Sequence, residues 1–204
     1  MRHSFSLEHA LASGKLNAPA AHGDHIARLD LCERICHPDG PKVVVARGPA
    51  GYGKTTLLAQ CQARLQARPM RTAWLTLDRA DNDLPRFLRC LMAALGALAE
   101  PAGAAARHDS EDMLALALVE AVASHEAPFA LVLDEFEAIT APAVLDLVQD
   151  LIGRLPAHAR LLIGSRHTPG LALGRLRAAN QVLEIDAAQL CFSMDEASRF
   201  FARR

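Results

Sequence analysis

Gly48-Pro49-Ala50-Gly51-Tyr52-Gly53-Lys54-Thr55 fits the pattern G-x-x-x-x-G-K-[ST], the spacing of a loop that grips a polyphosphate. A triphosphate carries closely spaced negative charge. Backbone N–H groups, a helix N-terminus and one mobile cation answer it. Gly51 and Gly53 can take positive φ without steric cost, so consecutive amides can turn inward, and neither has a side chain to hold the phosphates away. Lys54 is expected to reach the β- and γ-phosphates as a point charge. Thr55 is expected to offer its hydroxyl to Mg²⁺, and Thr56 to donate to the α-phosphate from the first helical turn. Pro49 stiffens the loop entry, and Ala50 is counted with the nucleotide-binding positions of the loop. Tyr52, the chain's single tyrosine, either covers the phosphates or packs against a neighbouring domain. A bare glycine turn with a solvated lysine would leave the Lys54-Thr55 pair unexplained.

A second acidic site follows about eighty residues later. Phe129-Ala130-Leu131-Val132-Leu133 runs straight into Asp134-Glu135. A continuous apolar run ending in acid reads as a central parallel strand, buried on both faces, whose C-terminal end is where open α/β sheets place ligands. Asp134 is the candidate to hold Mg²⁺ through water, and Glu135 the candidate general base that polarises an attacking water. Glu137 reads as a solvated loop residue. A third polar position ends another apolar run, Arg160 to Arg166. Arg166, with Ser165, either senses the γ-phosphate or is a surface arginine near a turn. Arg47, just before the loop, reads as a surface charge at a strand end.

These groups need a scaffold, and the chain alternates strand and helix patterns throughout. Val43-Val44-Val45-Ala46 leads into the loop, and Leu57, Leu58, Cys61 and Leu65 lead out at helical spacing. Strands are expected near 42–47, 71–77, 129–133, 160–165 and 181–185. Helices are expected from Ile26 to Ile35, from the loop to about Arg68, along the Leu84–Leu98 stripe, at Leu114–Val122, at Val144–Leu155, and at Met194–Ala202 behind a Ser193/Glu196 capping box. Alternation of this kind predicts an α/β fold with a parallel sheet covered on both faces. Residues 1–24 read as an extension that is flexible near its start, 25–192 as the nucleotide-binding domain and 193–204 as the start of a further helical segment. The segment 101–106 is alanine-rich.

Composition narrows the function classes. Apolar residues are 51% of 204, the net charge is −1, and no basic stripe with interleaved aromatics marks a nucleic-acid surface. No run approaches the ~18 apolar residues of a membrane span, and no signal-peptide core follows Met1. Five scattered cysteines fit a reducing cytoplasm better than a disulfide framework. Cys32 and Cys36 read as small buried residues rather than zinc ligands, since no second ligand pair has metal spacing. A guanine-reading Asn-Lys-x-Asp is absent. A small-molecule kinase would need an arginine-rich lid, and Arg175 and Arg177 in a short Gly/Leu loop support one poorly.

The string Ala46 to Leu57 resembles the phosphate loop of the large ATP-binding LuxR-type regulators, the maltose-activator-like branch of the STAND ATPases. Lys15-Leu16-Asn17-Ala18-Pro19, Ala73-Trp74-Leu75-Thr76-Leu77-Asp78, Asp81-Asn82-Asp83 and Arg86-Phe87-Leu88 are similar to that family's motifs. So are Leu131 to Phe136, Ser165-Arg166, Gln181 to Ile185, and Leu190 to Ala197. The resemblance covers roughly residues 15–203. It implies a P-loop NTPase fold, a three-layer αβα sandwich with a mainly parallel five-stranded sheet and an extra strand between the loop strand and the acidic strand. It implies ATP/ADP and Mg²⁺ as cofactors, Arg28 with Ile26 and Ala27 close to the adenine, and slow ATP hydrolysis. Nucleotide-dependent self-association would follow, with ADP holding the resting form. In that family a winged-helix segment, a helical-repeat sensor and a DNA-binding helix-turn-helix come next, and these 204 residues include none of them. The chain therefore reads as a domain excised from such a regulator or as a short stand-alone P-loop ATPase or kinase, with DNA contact only through a further domain. Two departures stand out. The family often has Asp-Asp-Tyr/Phe-His where Asp134-Glu135-Phe136-Glu137 stands, and a small residue where Arg47 stands.

Overall fold

An apolar residue at every position of Val43–Ala46 requires a covered face on either side of that strand. The computed structural model describes residues 14–20, 25–96, 98 and 110–202, and it supplies both covers. Five strands form one sheet: β1 (Val43–Arg47), β2 (Arg71–Thr76), β3 (Phe129–Asp134), β4 (Ala159–Ser165) and β5 (Val182–Ile185). Their order is β2-β3-β4-β1-β5, and every pairing is parallel. β4 therefore lies between the loop strand and the acidic strand, as the resemblance implies.

The pleat sorts side chains into two layers. Val43, Val45, Leu131, Leu133, Leu161 and Ile163 face α3 (Leu84–Gly96), α4 (Glu111–Ala123) and α5 (Pro142–Arg154). Val44, Ala46, Val132, Leu162 and Trp74 face α1 (Leu29–Ile35) and α2 (Lys54–Gln66). The result is the three-layer αβα sandwich expected. Cys32, Cys36 and Cys61 are free thiols buried in the second layer, where they pack as small apolar groups. Among the described residues no helix is long and apolar enough to cross a membrane.

Register aligns the strand ends. Arg47 sits opposite Ser165, Ala46 opposite Gly164 and Ile185, and Thr76 opposite Asp134. All the candidate polar residues therefore meet at one edge of the sheet, with the N-terminus of α2 above it. At the opposite edge, buried Arg160 donates to the carbonyls of Ile35 (3.0 Å), His37 and Pro38 (2.7 Å). It satisfies the chain just after α1, and the guanidinium fills the space where a side chain at Gly40 would go.

Several elements differ from the expectations. Residues 26–28, read as the start of a helix, are not helical. Gln60 on α2 donates to Ile26 O (2.9 Å) and accepts from Arg28 N (2.8 Å), so these backbone groups bond across to α2 instead of forward into a turn. The Gly/Leu segment carries a short helix, α6 (Gly174–Ala178), with Arg177 bonded to Glu184 at 2.8 Å. A further helix, α7 (Ala187–Leu190), starts on an Asp186/Gln189 capping box. The last helix, α8 (Met194–Ala202), has the expected bounds and cap: Ser193 N donates to Glu196 Oε2 at 2.8 Å, and Glu196 N to Ser193 Oγ at 3.2 Å. The alanine-rich 101–106 and most of the N-terminal extension lie outside the described residues.

Candidate functional site

Between β1 and α2 the loop adopts the backbone its glycines permit. Gly51 has φ 81° and Gly53 φ 78°, both left-handed. Gly53 is the N-cap of α2, and no side chain caps that helix, so the first-turn amides have no side-chain acceptor. That is the donor geometry an anion needs. Lys54 is buried, and its Nζ donates to Gly48 O (2.7 Å) and Pro49 O (2.9 Å), bracing the loop from within.

Thr55 Oγ1 donates to Asp134 Oδ2 at 2.7 Å, which ties the loop helix to the end of β3. Asp134 is 2% exposed, and its other oxygen, Oδ1, has no hydrogen-bond partner. Burial pushes its carboxyl above the usual range, against the pull of the Thr55 hydroxyl. A buried carboxylate that keeps one oxygen unpaired beside a hydroxyl is a hard-oxygen donor set that suits Mg²⁺. Among the described residues no cluster of three His, Cys, Asp or Glu could hold a metal by itself. Mg²⁺ is ordinarily held by one or two side chains together with phosphates and water.

Glu135 follows in the left-handed region, φ 57°, a conformation that strains a residue with a Cβ by about 1 kcal/mol or more. Burial, then the charges of Glu137 and Asp134, hold its carboxyl above the usual range. Arg166 reaches both neighbouring acids. Its Nη2 lies 3.4 Å from Glu135 Oε2, its Nε 2.7 Å from Glu137 Oε1, and its backbone N donates to Glu137 Oε2 at 3.0 Å. Glu137 is therefore not the solvated residue expected, because its side chain is only 14% exposed and is engaged with Arg166. Ser165 Oγ is buried beside them with no partner. Arg47 is exposed at the end of β1, as expected, and donates to Thr168 Oγ1.

Sequence reasoning missed what braces this edge. Asp81 is fully buried and accepts from Lys15, from Arg86 Nε (3.2 Å) and from Asp78 N (2.8 Å). Asn82 donates to Ala138 O and accepts from the amides of Thr140 and Ala141, each at 2.7 Å. That pins the segment just after Glu135 and helps to hold its strained backbone. The strings around Lys15, Asp81 and Arg86, read as separate resemblances, are one network.

A cavity of about 440 Å³ adjoins the loop, lined among others by Ile26, Tyr52, Thr56, Leu190 and Phe192. Its apolar walls beside the loop amides suit a nucleobase. Arg28 is in its wall, but the guanidinium is committed. It donates to the carbonyls of Gln189 (3.0 Å), Leu190 (2.6 Å) and Cys191 (3.1 Å), pairs with Glu196 at 3.0 Å, and lies 5.4 Å from the Phe192 ring centroid. The Phe192 and Leu190 contributions were not anticipated. The Leu190-Cys191-Phe192 string, which carries part of the resemblance, was the available signal.

The sequence profile of the AAA ATPase domain family matches residues 22–163. Solved structures with a similar fold include Cdc6p from Pyrobaculum aerophilum, at 15% identity and TM-score 0.57, over 92% of this chain and 54% of that one. The ORC1 protein of Aeropyrum pernix, solved in complex with DNA, is similar at 17% identity and TM-score 0.55, over 92% of this chain and 50% of that one. Drosophila ORC bound to DNA is similar at 18% identity and TM-score 0.50, over 78% and 41%. At such identities the likeness is one of fold, and this chain spans about half the length of the proteins it matches.

Proposed function

The chain belongs to the AAA ATPase domain family, and from that premise we propose that it is the ATP/ADP-binding switch domain of a LuxR-type regulator, with slow Mg²⁺-dependent hydrolysis. The observation that carries the ATPase part is the Thr55–Asp134 bond, made by a buried carboxylate that keeps one oxygen free beside an uncapped helix N-terminus. The regulator part is supported by the resemblance alone. Its Lys15, Asp78, Asp81 and Arg86 strings form one bonded network, and a shared structural element would keep such strings together.

In this reading the loop amides from Gly48 to Gly53 would cradle the phosphates. Lys54 would exchange the Gly48 and Pro49 carbonyls for the β- and γ-phosphates, a short swing of a flexible stem. Thr55 and Asp134 would hold Mg²⁺, Asp134 through water, and Thr56 would reach the α-phosphate. The metal would supply charge neutralisation on the β- and γ-oxygens. Glu135, half exposed and of raised basicity, would polarise the attacking water. Arg166 would sense the γ-phosphate from the end of β4. The base would lie in the apolar cavity between Ile26 and Phe192, with Arg28 holding the α7–α8 wall in place. The kinase alternative draws no support from Arg177, whose guanidinium is paired with Glu184.

The test is single-turnover phosphate release together with particle mass under Mg·ATP and under Mg·ADP. Slow release without a phosphorylated acceptor, and a larger assembly with ATP than with ADP, are expected. Transfer of phosphate to an acceptor, or equal mass in both nucleotides, would contradict the switch.

A further inference from the structure

Arg47 ends β1, which lies between β4 and β5 in the sheet, and its side chain is exposed at the polar edge. Its guanidinium is exposed and is steered by one neutral bond, Nη1 to Thr168 Oγ1 at 2.6 Å. The acids around it are committed elsewhere. Glu184 takes two bonds from Arg177, at 2.8 and 3.2 Å. The Asp186 carboxylate accepts Gln189 N at 2.9 Å as the cap of α7. Glu135 and Glu137 hold Arg166. Among the described residues no carboxylate forms an ion pair with Arg47, although its charge, after that of Arg177, helps to hold the Glu184 carboxyl below its usual range. A cleft of about 560 Å³ opens beside it, lined by Arg47, Pro49, Arg166, His167, Thr168 and Asp186 among others, and it shares no lining residue with the base cavity.

We propose that this cleft, which borders the phosphate loop at Gly48 and Pro49 and is walled on another side by Arg166, is a second oxyanion site that takes a phosphate group between Arg47, Thr168 and His167. The planar fork of an arginine matches two oxygens of a tetrahedral anion, and such charge-assisted pairs are stronger than neutral ones. Thr168 uses a lone pair for Arg47, so its O–H remains a donor for the same anion. The His167 ring, exposed at the cleft wall, adds a nitrogen donor. One wall is the Gly48-Pro49 turn that Lys54 also grips, so the occupant would sit beside the phosphate loop without using its lysine. The phosphate is either free inorganic phosphate or the group of a small phosphomonoester.

Inorganic phosphate and, separately, glycerol 3-phosphate are titrated calorimetrically at constant ionic strength into the Lys54→Ala protein, where the loop is weakened. Saturable binding is expected, and adding Arg47→Ala should weaken it roughly tenfold, the order of one charge-assisted contact. Tighter binding of the phosphomonoester assigns a carried phosphate, and tighter binding of inorganic phosphate a free one. Affinity unmoved by Arg47→Ala, or no binding in Lys54→Ala protein that melts where the parent does, overturns the site. Neither probe carries a nucleoside, so failure of the ATP reading leaves this result standing.

Discussion

Lys54→Ala should weaken Mg·ATP binding by about ten- to a hundredfold, the equivalent of ~1.5–3 kcal/mol for the loss of a charged donor. The ammonium is already desolvated and held inside the loop by the Gly48 and Pro49 carbonyls. Its desolvation has been met in folding, and the move to a phosphate trades neutral acceptors for charged ones. Fluorescent-nucleotide titration reads the change. Thermal melting of the same variant separates lost contact from lost fold, because Lys54 braces the loop and not the core. An affinity equal to the parent's would count against the assignment of the loop.

The second large effect is expected at a residue with no side chain. A Cβ at position 164 would come within 2.8 Å of Leu58 Cδ1 and closer still to Asp134 Oδ1. Gly164 lies on β4, which is hydrogen-bonded to a strand on both sides, so the backbone has little room to yield. In Gly164→Ala the Asp134 carboxylate must turn from its bond to Thr55 and Leu58 must shift from its packed position. Overpacking of this kind costs about 1–3 kcal/mol, and a buried carboxylate that loses its hydrogen bond adds about as much again. Urea unfolding should therefore show a loss of about 2–6 kcal/mol. The Mg²⁺ dependence of ATP affinity should shrink at the same time, while metal-free ADP binding persists. A variant as stable as the parent with an unchanged Mg²⁺ dependence would refute the close approach of β4 to Asp134.

What could be read from the sequence was local. The positive φ of Gly51 and Gly53 follows from the spacing of the loop, and the burial of β3 from its unbroken apolar run into Asp134. The Ser193/Glu196 cap set the start of α8 at its observed residue. What escaped was made by distance. Arg28 meets residues 161–168 positions away, and nothing near it in the chain announces a clamp. Glu137 read as solvated because its partner, Arg166, arrives from another strand. Residues 26–28 were read into a helix, and a single glutamine on α2 outweighed that preference by taking both backbone groups. The turn at Arg79–Asn82 is too short for periodicity, yet its capping box and Asn82 brace the segment behind Glu135. Local pattern carried the frame and the phosphate loop. The bracing of the polar edge depended on pairings that only the folded chain brings together.

Everything proposed for the switch depends on a grip on adenine nucleotide. Isothermal calorimetry of the folded protein with ATP and with ADP in the presence of Mg²⁺, repeated with GTP, tests that grip most directly. Saturable one-to-one binding of both adenine nucleotides, with GTP a poor competitor, is the predicted result. No heat of binding from either adenine nucleotide would contradict it.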